Sequence, residues 1–399
     1  MSAYRHNWGQ RLGFCPYKLE KCIWVHAVSL GESIAATPLI QALQKKYPSI
    51  PIVVTNMTPT GAARIRSVFG ESIFQCYVPY DIPHMIKRFL RSVNPMIAII
   101  VETELWPNLL NVTHQQKIPI IVVNARLSEK SFRSYQWVAT LTKEILQNID
   151  VIAIQTQPEL ERFKALGLDP ARALVTGNIK FDIEVSADLF LQSDALRREL
   201  GKQRLIWIAA STHAGEEEII LAAHKQICQR YPGTLLILVP RHPDRFPAVY
   251  HLTKQLGFQV ARRSQFEECS ASTQIYFGDT TGELMLLYAA SDVAFVGGSF
   301  IPVGGHNVLE AAVLGKPIIT GSYLFNFSEI TQLLTAKQGM KQVNNESELV
   351  DELSHFFSNP SHRLQVGASA RAFVEEHRGG LTRQVNAITK IIDNRCIMK

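Results

Sequence analysis

The chain has 399 residues, 46% apolar and 19% charged, a length that points to two domains and a composition that excludes a disordered or fibrous protein. The formal net charge of +6 is uneven: residues 1–180 hold 20 Lys and Arg against 12 Asp and Glu, a net of +8, and residues 181–399 hold 21 against 23, a net of −2. The front half therefore suits an anionic partner such as phosphate-bearing lipid, a membrane surface or nucleic acid.

Short β-branched runs then alternate with amphipathic stretches, the pattern of a parallel sheet covered by helices. In the front half strands are expected at 22–29, 51–56, 96–102, 119–125, 151–156 and 173–178, and helices at 34–46, 82–93 and 158–166. These strand segments are continuously apolar, as strands buried on both faces are. Ligands of such sheets bind outside the carboxyl ends of the strands, so the loops there carry the chemistry. The first, "HAVSLGES" (26–33), sets Ser29 and Glu32 at capping-box spacing, in which each side chain satisfies a free amide at a helix start. Next, "VETELWPN" (101–108) puts Glu102 and Glu104 at a strand end beside Trp106. "NARLSEKSFRSY" (124–135) supplies Arg126, Lys130 and Arg133 among Ser128, Ser131 and Ser134. It reads as a grip on a phosphorylated acceptor or, from charge alone, as a solvated helix surface. "GNIKFD" (177–182) places Lys180 at the end of the front domain.

Residues 181–203 carry no strand signal and read as the connection between domains, 1–180 and 204–361. In the back half strands are expected at 204–211, 234–241, 274–279, 293–299 and 317–322, with helices near 215–231, 282–291 and 306–315. Residues 362–399 read as helical and as crossing back to the first domain. Four polar loops fall on one edge of this second sheet. Ser211 and Thr212 follow one strand, and Arg241 and His242 follow the next, the arginine suited to bidentate phosphate or carboxylate binding. "GDTTGEL" (278–284) offers Asp279, Thr280 and Thr281 as helix caps, with Gly282 and Glu283 completing the turn. In "GGSFIPVGGHNVLEAA", Gly304 and Gly305 would let the backbone approach a ligand. His306 and Asn307 would open a helix with an anion site at its amides, and Glu310 would accept from a ribose diol.

The six cysteines (Cys15, Cys22, Cys76, Cys228, Cys269, Cys396) are scattered without C-x-x-C or zinc-type spacing, which fits a reducing cytosol and no metal site. No apolar run reaches the roughly 20 residues of a bilayer span, and no signal peptide is evident. Nor is there a G-x-G-x-x-G after a first strand, a Walker A loop, H-E-x-x-H or G-x-S-x-G. A nucleotide site lacking those signatures, on two α/β domains, indicates two Rossmann-like doubly wound domains facing a cleft, the GT-B glycosyltransferase fold. A compact basic run with interleaved aromatics is missing too, which argues against nucleic acid.

Taken in order, "HAVSLGE", "VETELWPN", "NARLSEKSFRSY", "GNIKFD", "ASTHAGEEE", "PRHPDRF", "GDTTGEL" and "GGHNVLEAA" resemble the 3-deoxy-D-manno-octulosonic acid (Kdo) transferases of Gram-negative lipopolysaccharide synthesis, from about residue 9 to residue 330. The resemblance implies inverting transfer from CMP-Kdo to the lipid A precursor (lipid IVA) at the cytoplasmic side of the inner membrane, with no cofactor and no metal. It implies that Glu32 is the catalytic base, that Ser29, Gly31, Glu102, Glu104, Arg126, Ser128 and Lys130 meet the acceptor, and that Lys180 joins the back-domain loop residues on the donor. Such enzymes usually begin with an apolar anchor, whereas six residues precede "NWGQRLGF" here. Either such an anchor lies outside the given sequence or the protein lacks one; for the sequence as given peripheral attachment is expected, with 82–93 and its Lys87, Arg88 and Arg91 as contacts. The rival expectations are a GT-B enzyme of a UDP-sugar, transferase or 2-epimerase, and a non-catalytic nucleotide-sugar binder.

Overall fold

The structure is a computed structural model that describes residues 7–397; residues 1–6 and 398–399, and the side chains of residues 396 and 397, lie outside it, Cys396 among them. Its elements in chain order are α1 (Trp8–Arg11), β1 (Cys22–His26), α2 (Leu30–Lys46), β2 (Ile52–Asn56), α3 (Pro59–Phe69), β3 (Phe74–Tyr77), α4 (Pro83–Val93), β4 (Pro95–Val101), α5 (Pro107–Gln115), β5 (Ile120–Ala125), α6 (Glu129–Gln136), α7 (Ala139–Gln147), β6 (Val151–Ile154), α8 (Gln157–Ala165) and β7 (Ala173–Val175). They continue as α9 (Ala187–Leu200), β8 (Ile206–Thr212), α10 (Glu217–Arg230), β9 (Leu235–Pro240), α11 (Phe246–Gln255), β10 (Val260–Arg262), β11 (Ile275–Phe277), α12 (Leu284–Ala290), β12 (Val293–Val296), α13 (Leu309–Val313), β13 (Ile318–Thr320), α14 (Ser328–Ala336), β14 (Met340–Gln342), α15 (Glu346–Ser358), α16 (Pro360–His377) and α17 (Gly380–Ile397). Two compact units result: Met1–Asp182 with His377–Lys399, and Ile183–Glu376.

The first unit holds a seven-stranded parallel sheet in the order β3-β2-β1-β4-β5-β6-β7. The central strands β1, β4 and β5 are buried along their whole length, because helices cover both faces. One face packs Trp24, Ile100 and Val122 against Phe89, Leu109 and Ile145. The other packs Val25, Ile99 and Val123 against Leu39 and Ile65, and against Ile388 and Ile392 of α17. The chain leaves β1 in one direction and reaches β4 in the other, so the strand order reverses between β1 and β4. At such a reversal the flanking loops diverge and leave a crevice at the carboxyl edge. The second unit repeats the plan as β10-β11-β9-β8-β12-β13-β14, with its reversal between β8 and β12.

Three strands escape the sequence pattern: β3, β10 and β14. All lie at sheet edges, where short, partly polar segments such as "VAR" and "MKQ" are favoured because long apolar edges invite further pairing. Two boundaries need correction. The segment 181–203 is no bare connection: α9 buries Leu196 and Leu200, and Arg197 bonds the Ala290 carbonyl and Asp292, both at 2.9 Å, which makes it part of the second unit. Nor do residues 362–399 behave as one piece. Helix α16 buries Val366, Ala370, Phe373 and Val374 and stays with the second unit, and only α17 joins the first. There the Asp182 carboxylate accepts from the amides of Gly379 (2.6 Å) and Leu381 (2.7 Å) at the start of α17.

Candidate active site

Glu32 lies at the reversal point of the first sheet, in the first turn of the helix that follows β1. Its capping box is complete. The Glu32 amide donates to Ser29 Oγ (3.4 Å), Ser29 Oγ–H donates to Glu32 Oε1 (2.6 Å), and the amides of Val28 (2.7 Å) and Ser29 (3.3 Å) donate to the same carboxylate. The residue is only 6% exposed. Burial pushes its carboxyl up to about 7; the Ser29 hydroxyl opposes the shift, and the negative charges of Glu104 and Glu102 add to it. A hydrogen-bonded cap and a carboxyl that exchanges protons near neutrality thus occupy one side chain.

Across the reversal, the loop after β4 brings the two other carboxylates. Glu102 has a left-handed backbone (φ 60°), a costly conformation for a residue with a side chain. Glu104 Oε2 accepts from the Trp106 indole at 2.7 Å. Its carboxyl is raised by burial, with the indole bond opposing and Glu102 reinforcing. The Trp106 ring meets His26 edge-on at 5.3 Å. His26 is fully buried on β1, its Nδ1 is 2.9 Å from Thr55 Oγ1, and burial lowers it to about 3, so it stays neutral.

Several expected acceptor contacts take other roles. Ser128 caps α6, accepting from the Ser131 amide at 3.1 Å. Arg126 is fixed by its backbone, which exchanges hydrogen bonds with the Thr103 hydroxyl, while its side chain and that of Lys130 are exposed. Lys180, expected among the donor residues, belongs to the first unit and pairs with Glu102 at 3.8 Å. Gly31 is exposed in the first turn of α2, and a Cβ there would meet only Ser29 Oγ, at 3.9 Å.

In the second unit the loops after β8 and β12 meet at the other reversal. Glu216, completely buried, accepts from four backbone amides: Gly298 (2.7 Å), Ser299 and Phe300 (both 2.9 Å), and His213 (3.0 Å). One carboxylate thus ties the two loops together. Gly297 passes so close to the Ser211 carbonyl that a Cβ would lie 2.7 Å from it, and Gly298 adopts φ 68° beneath the His306 ring. The clamp sets His213 Nε2 2.7 Å from His306 Nε2, with the rings stacked, and His242 meets His213 edge-on at 5.3 Å. Burial, then Arg241 and the two other imidazoles, push His306 down to about 4; burial lowers His213 as well. At neutral pH the pair is uncharged, one ring donating and the other accepting. Arg241 and His242 are exposed beside it.

The remaining back-domain expectations are partly overturned. Helix α13 begins at Leu309 and has five residues, so His306 and Asn307 precede it and no long helix aims its amides at this loop. Asn307 instead donates to Glu310 Oε1 at 3.2 Å, and burial raises the Glu310 carboxyl. Gly304 and Gly305 are buried against residues 323–326 of their own chain rather than open to a ligand. Asp279, Thr280 and Thr281 do not cap α12, which starts at Leu284 with Glu283 as its N-cap residue and no side-chain cap. Asp279 is bound by Arg262 (2.7 and 2.9 Å) and Ser264, and Glu283 by Arg263 (2.7 and 3.1 Å) and Thr280. Thr281 and Gly282 are exposed. Thr212 is buried and donates to Glu217 (2.9 Å), which Arg245 also holds; Ser211 is buried with a left-handed backbone, φ 57°. Glu216 is the principal residue missed, although the acidic run in "THAGEEE" after a strand was its available signal.

The family described as "3-Deoxy-D-manno-octulosonic-acid transferase (kdotransferase)" matches residues 6–183. A 3-deoxy-D-manno-octulosonic acid transferase of Haemophilus influenzae is 40% identical over 98% of this chain and 92% of its own length. One of Bordetella pertussis is 34% identical over 94% and 88%. Among solved structures, the UDP-GlcNAc 2-epimerase of Neisseria meningitidis, bound to UDP-GlcNAc, superposes with a TM-score of 0.58 over 94% of this chain and all of its own, at 13% identity. That likeness is one of fold, the two-sheet GT-B architecture.

Proposed function

The chain belongs to the Kdo transferase family of glycosyltransferases, and from that premise we propose that it moves Kdo from CMP-Kdo to the lipid A precursor lipid IVA with inversion, using Glu32 as general base. The acceptor hydroxyl oxygen attacks the anomeric carbon of Kdo and its proton passes to the Glu32 carboxylate. The bond from that carbon to the CMP phosphate breaks, its electron pair leaves on the phosphate oxygen, and attack from the opposite face inverts the centre. The observation that carries this reading is the Glu32 carboxyl held near 7 at the carboxyl edge of β1, since a base titrating close to working pH balances availability against strength. Gly31 is compatible with it: the residue is exposed in the first turn of α2, and a Cβ there would meet only Ser29 Oγ, at 3.9 Å.

On the donor, Arg241 supplies positive charge and the uncharged His213–His306 pair supplies N–H donors for the leaving phosphate, and Glu310 accepts from the ribose. These groups stabilise the developing anion without a metal ion in the scheme. The acceptor is met at the cytoplasmic face of the inner membrane, which accounts for the +8 of residues 1–180. The UDP-sugar and non-catalytic alternatives are disfavoured by relatives at 34% and 40% identity that are named Kdo transferases. Incubation with CMP-Kdo and lipid IVA, read by product mass, tests the reading. Glu32→Ala should give no product while it binds CMP and melts nearly as the parent does. A variant that unfolds readily but whose folded fraction still transfers would leave Glu32 as a helix cap and nothing more.

A further inference from the structure

Arg11, the last residue of α1, is only 2% exposed, and its contacts lead toward Glu32. The segment that carries it is strapped along β3 at the edge of the first sheet. The Tyr77 amide donates to Gln10 Oε1 (2.8 Å), and the Tyr80 amide donates to the Arg11 carbonyl (2.9 Å). The guanidinium is thereby fixed 4.5 Å above the Tyr77 ring, with Nη1 3.1 Å from Met57 Sδ and Nη2 donating to the Met57 carbonyl at 2.9 Å. Met57 follows β2, so Arg11 reaches from the strap to the carboxyl edge of the sheet.

From the Met57 carbonyl a line of hydrogen bonds runs to the Glu32 carboxylate. The peptide group that holds this carbonyl presents its other end, the Thr58 amide, to the Val28 carbonyl at 3.1 Å. The Val28 carbonyl belongs in turn to the peptide whose Ser29 amide donates to Glu32 Oε1 at 3.3 Å. The Met57 amide braces the same Val28 carbonyl at 2.9 Å. In both peptides the oxygen faces the guanidinium side and the N–H faces the carboxylate side. A cation at one end and an anion at the other therefore polarise them in the same sense, and each bond strengthens the next. The charges that face Glu32 from other elements act the opposite way. Glu104 and Glu102, in the loop after β4, disfavour a further negative charge, and Lys180 is paired with Glu102 at 3.8 Å. Covering a sheet edge needs no cation, and taking a guanidinium out of water is costly. At the head of this relay the charge acts on the carboxylate, which an apolar side chain would not do.

We infer that Arg11 is a positioning residue of the proposed base, acting through these two peptide groups to hold the Ser29 amide on the Glu32 carboxylate and to favour its ionised form. The inference rests on the reading of Glu32 as base, but titration of the carboxyl by carbon NMR needs neither donor nor acceptor, so the two can fail separately. Arg11→Gln keeps a hydrogen-bond donor and removes the charge. It should raise the Glu32 midpoint by roughly half a pH unit, the effect of weakening one amide bond to a charged group. The acid limb of kcat/KM should move up by the same amount, with the parent rate regained well above that limb. Arg11→Lys restores the charge and should bring both midpoints most of the way back. In the parent chain the Thr58 amide and the Arg11 side-chain N–H signals should titrate with Glu32, and Glu32→Gln should abolish those shifts. That readout stands even if the Arg11 variants fold poorly. An Arg11→Gln variant with an unchanged Glu32 midpoint would overturn the inference. So would a Thr58 amide that ignores the Glu32 titration, or a loss of kcat/KM that is uniform across pH. Transfer that persists in Glu32→Gln while the shifts hold in the parent would leave the relay standing and remove only the base.

Discussion

In the proposed mechanism Glu32 carries two jobs, helix cap and base, that titration separates. Its folded carboxyl is raised to about 7, above the ordinary glutamate value of about 4.3. Between those values the native state keeps a proton that the unfolded chain has lost, so stability contributed by this group falls as pH rises through that window. Activity moves the opposite way, because the base must be deprotonated. We expect kcat/KM to climb with pH through about 7, and Glu32→Gln to remove both the activity and this slope in denaturation measurements. Glu310→Ala should weaken CMP binding about tenfold or more in calorimetry, the loss expected for a hydrogen bond to a charged group; unchanged affinity would remove it from the ribose site. Glu216 is of another kind, since its four amide bonds lie wholly inside the protein. Glu216→Ala strands those amides and should cost about 3 kcal/mol or more, read by urea denaturation, with CMP affinity falling as the histidine pair separates.

At the scale of elements, α17 shows how a distant segment completes a sheet. Ile388 and Ile392 are buried against the face that carries Ile97, Ile99, Ile121 and Val123. Gln384 links the Asn124 amide (2.9 Å) to the Gly177 carbonyl (3.1 Å). Either isoleucine replaced by alanine should destabilise the first unit by about 2–5 kcal/mol, the usual cost of an aliphatic cavity, measured by chemical denaturation. The helix was legible from its apolar spacing. Its destination at the first unit agrees with the sequence expectation, but the separate allegiance of α16 was not legible, because both helices present amphipathic faces and only the available groove decides between them. The edge strands were hidden for another reason: they are three or four residues long and partly polar, so they lack the unbroken apolar run that marks a central strand.

Over the whole molecule, the first unit is discontinuous and the second is one uninterrupted stretch. Removing residues 377–399 should therefore lower the thermal transition of the first unit while CMP affinity, which the proposed donor site assigns to the second, stays close to that of the full chain. A truncation that abolished CMP binding without altering the first transition would contradict this division.

The amino-acid sequence alone determined the two parallel sheets, because strands buried on both faces must be written as unbroken apolar runs and helices as amphipathic ones. It also determined where chemistry is to be sought, since ligands of such sheets bind at the loops outside the carboxyl ends of the strands. Only the tertiary structure decided which polar residues are spent on the fold. Asp279, Glu283, Thr212 and Ser128 are bound by neighbours, and Glu216 is a clamp, because a hydrogen bond depends on the partner that long-range folding delivers. The near-neutral carboxyl of Glu32 likewise comes from burial beside two carboxylates contributed by another strand, a field that no local spacing encodes.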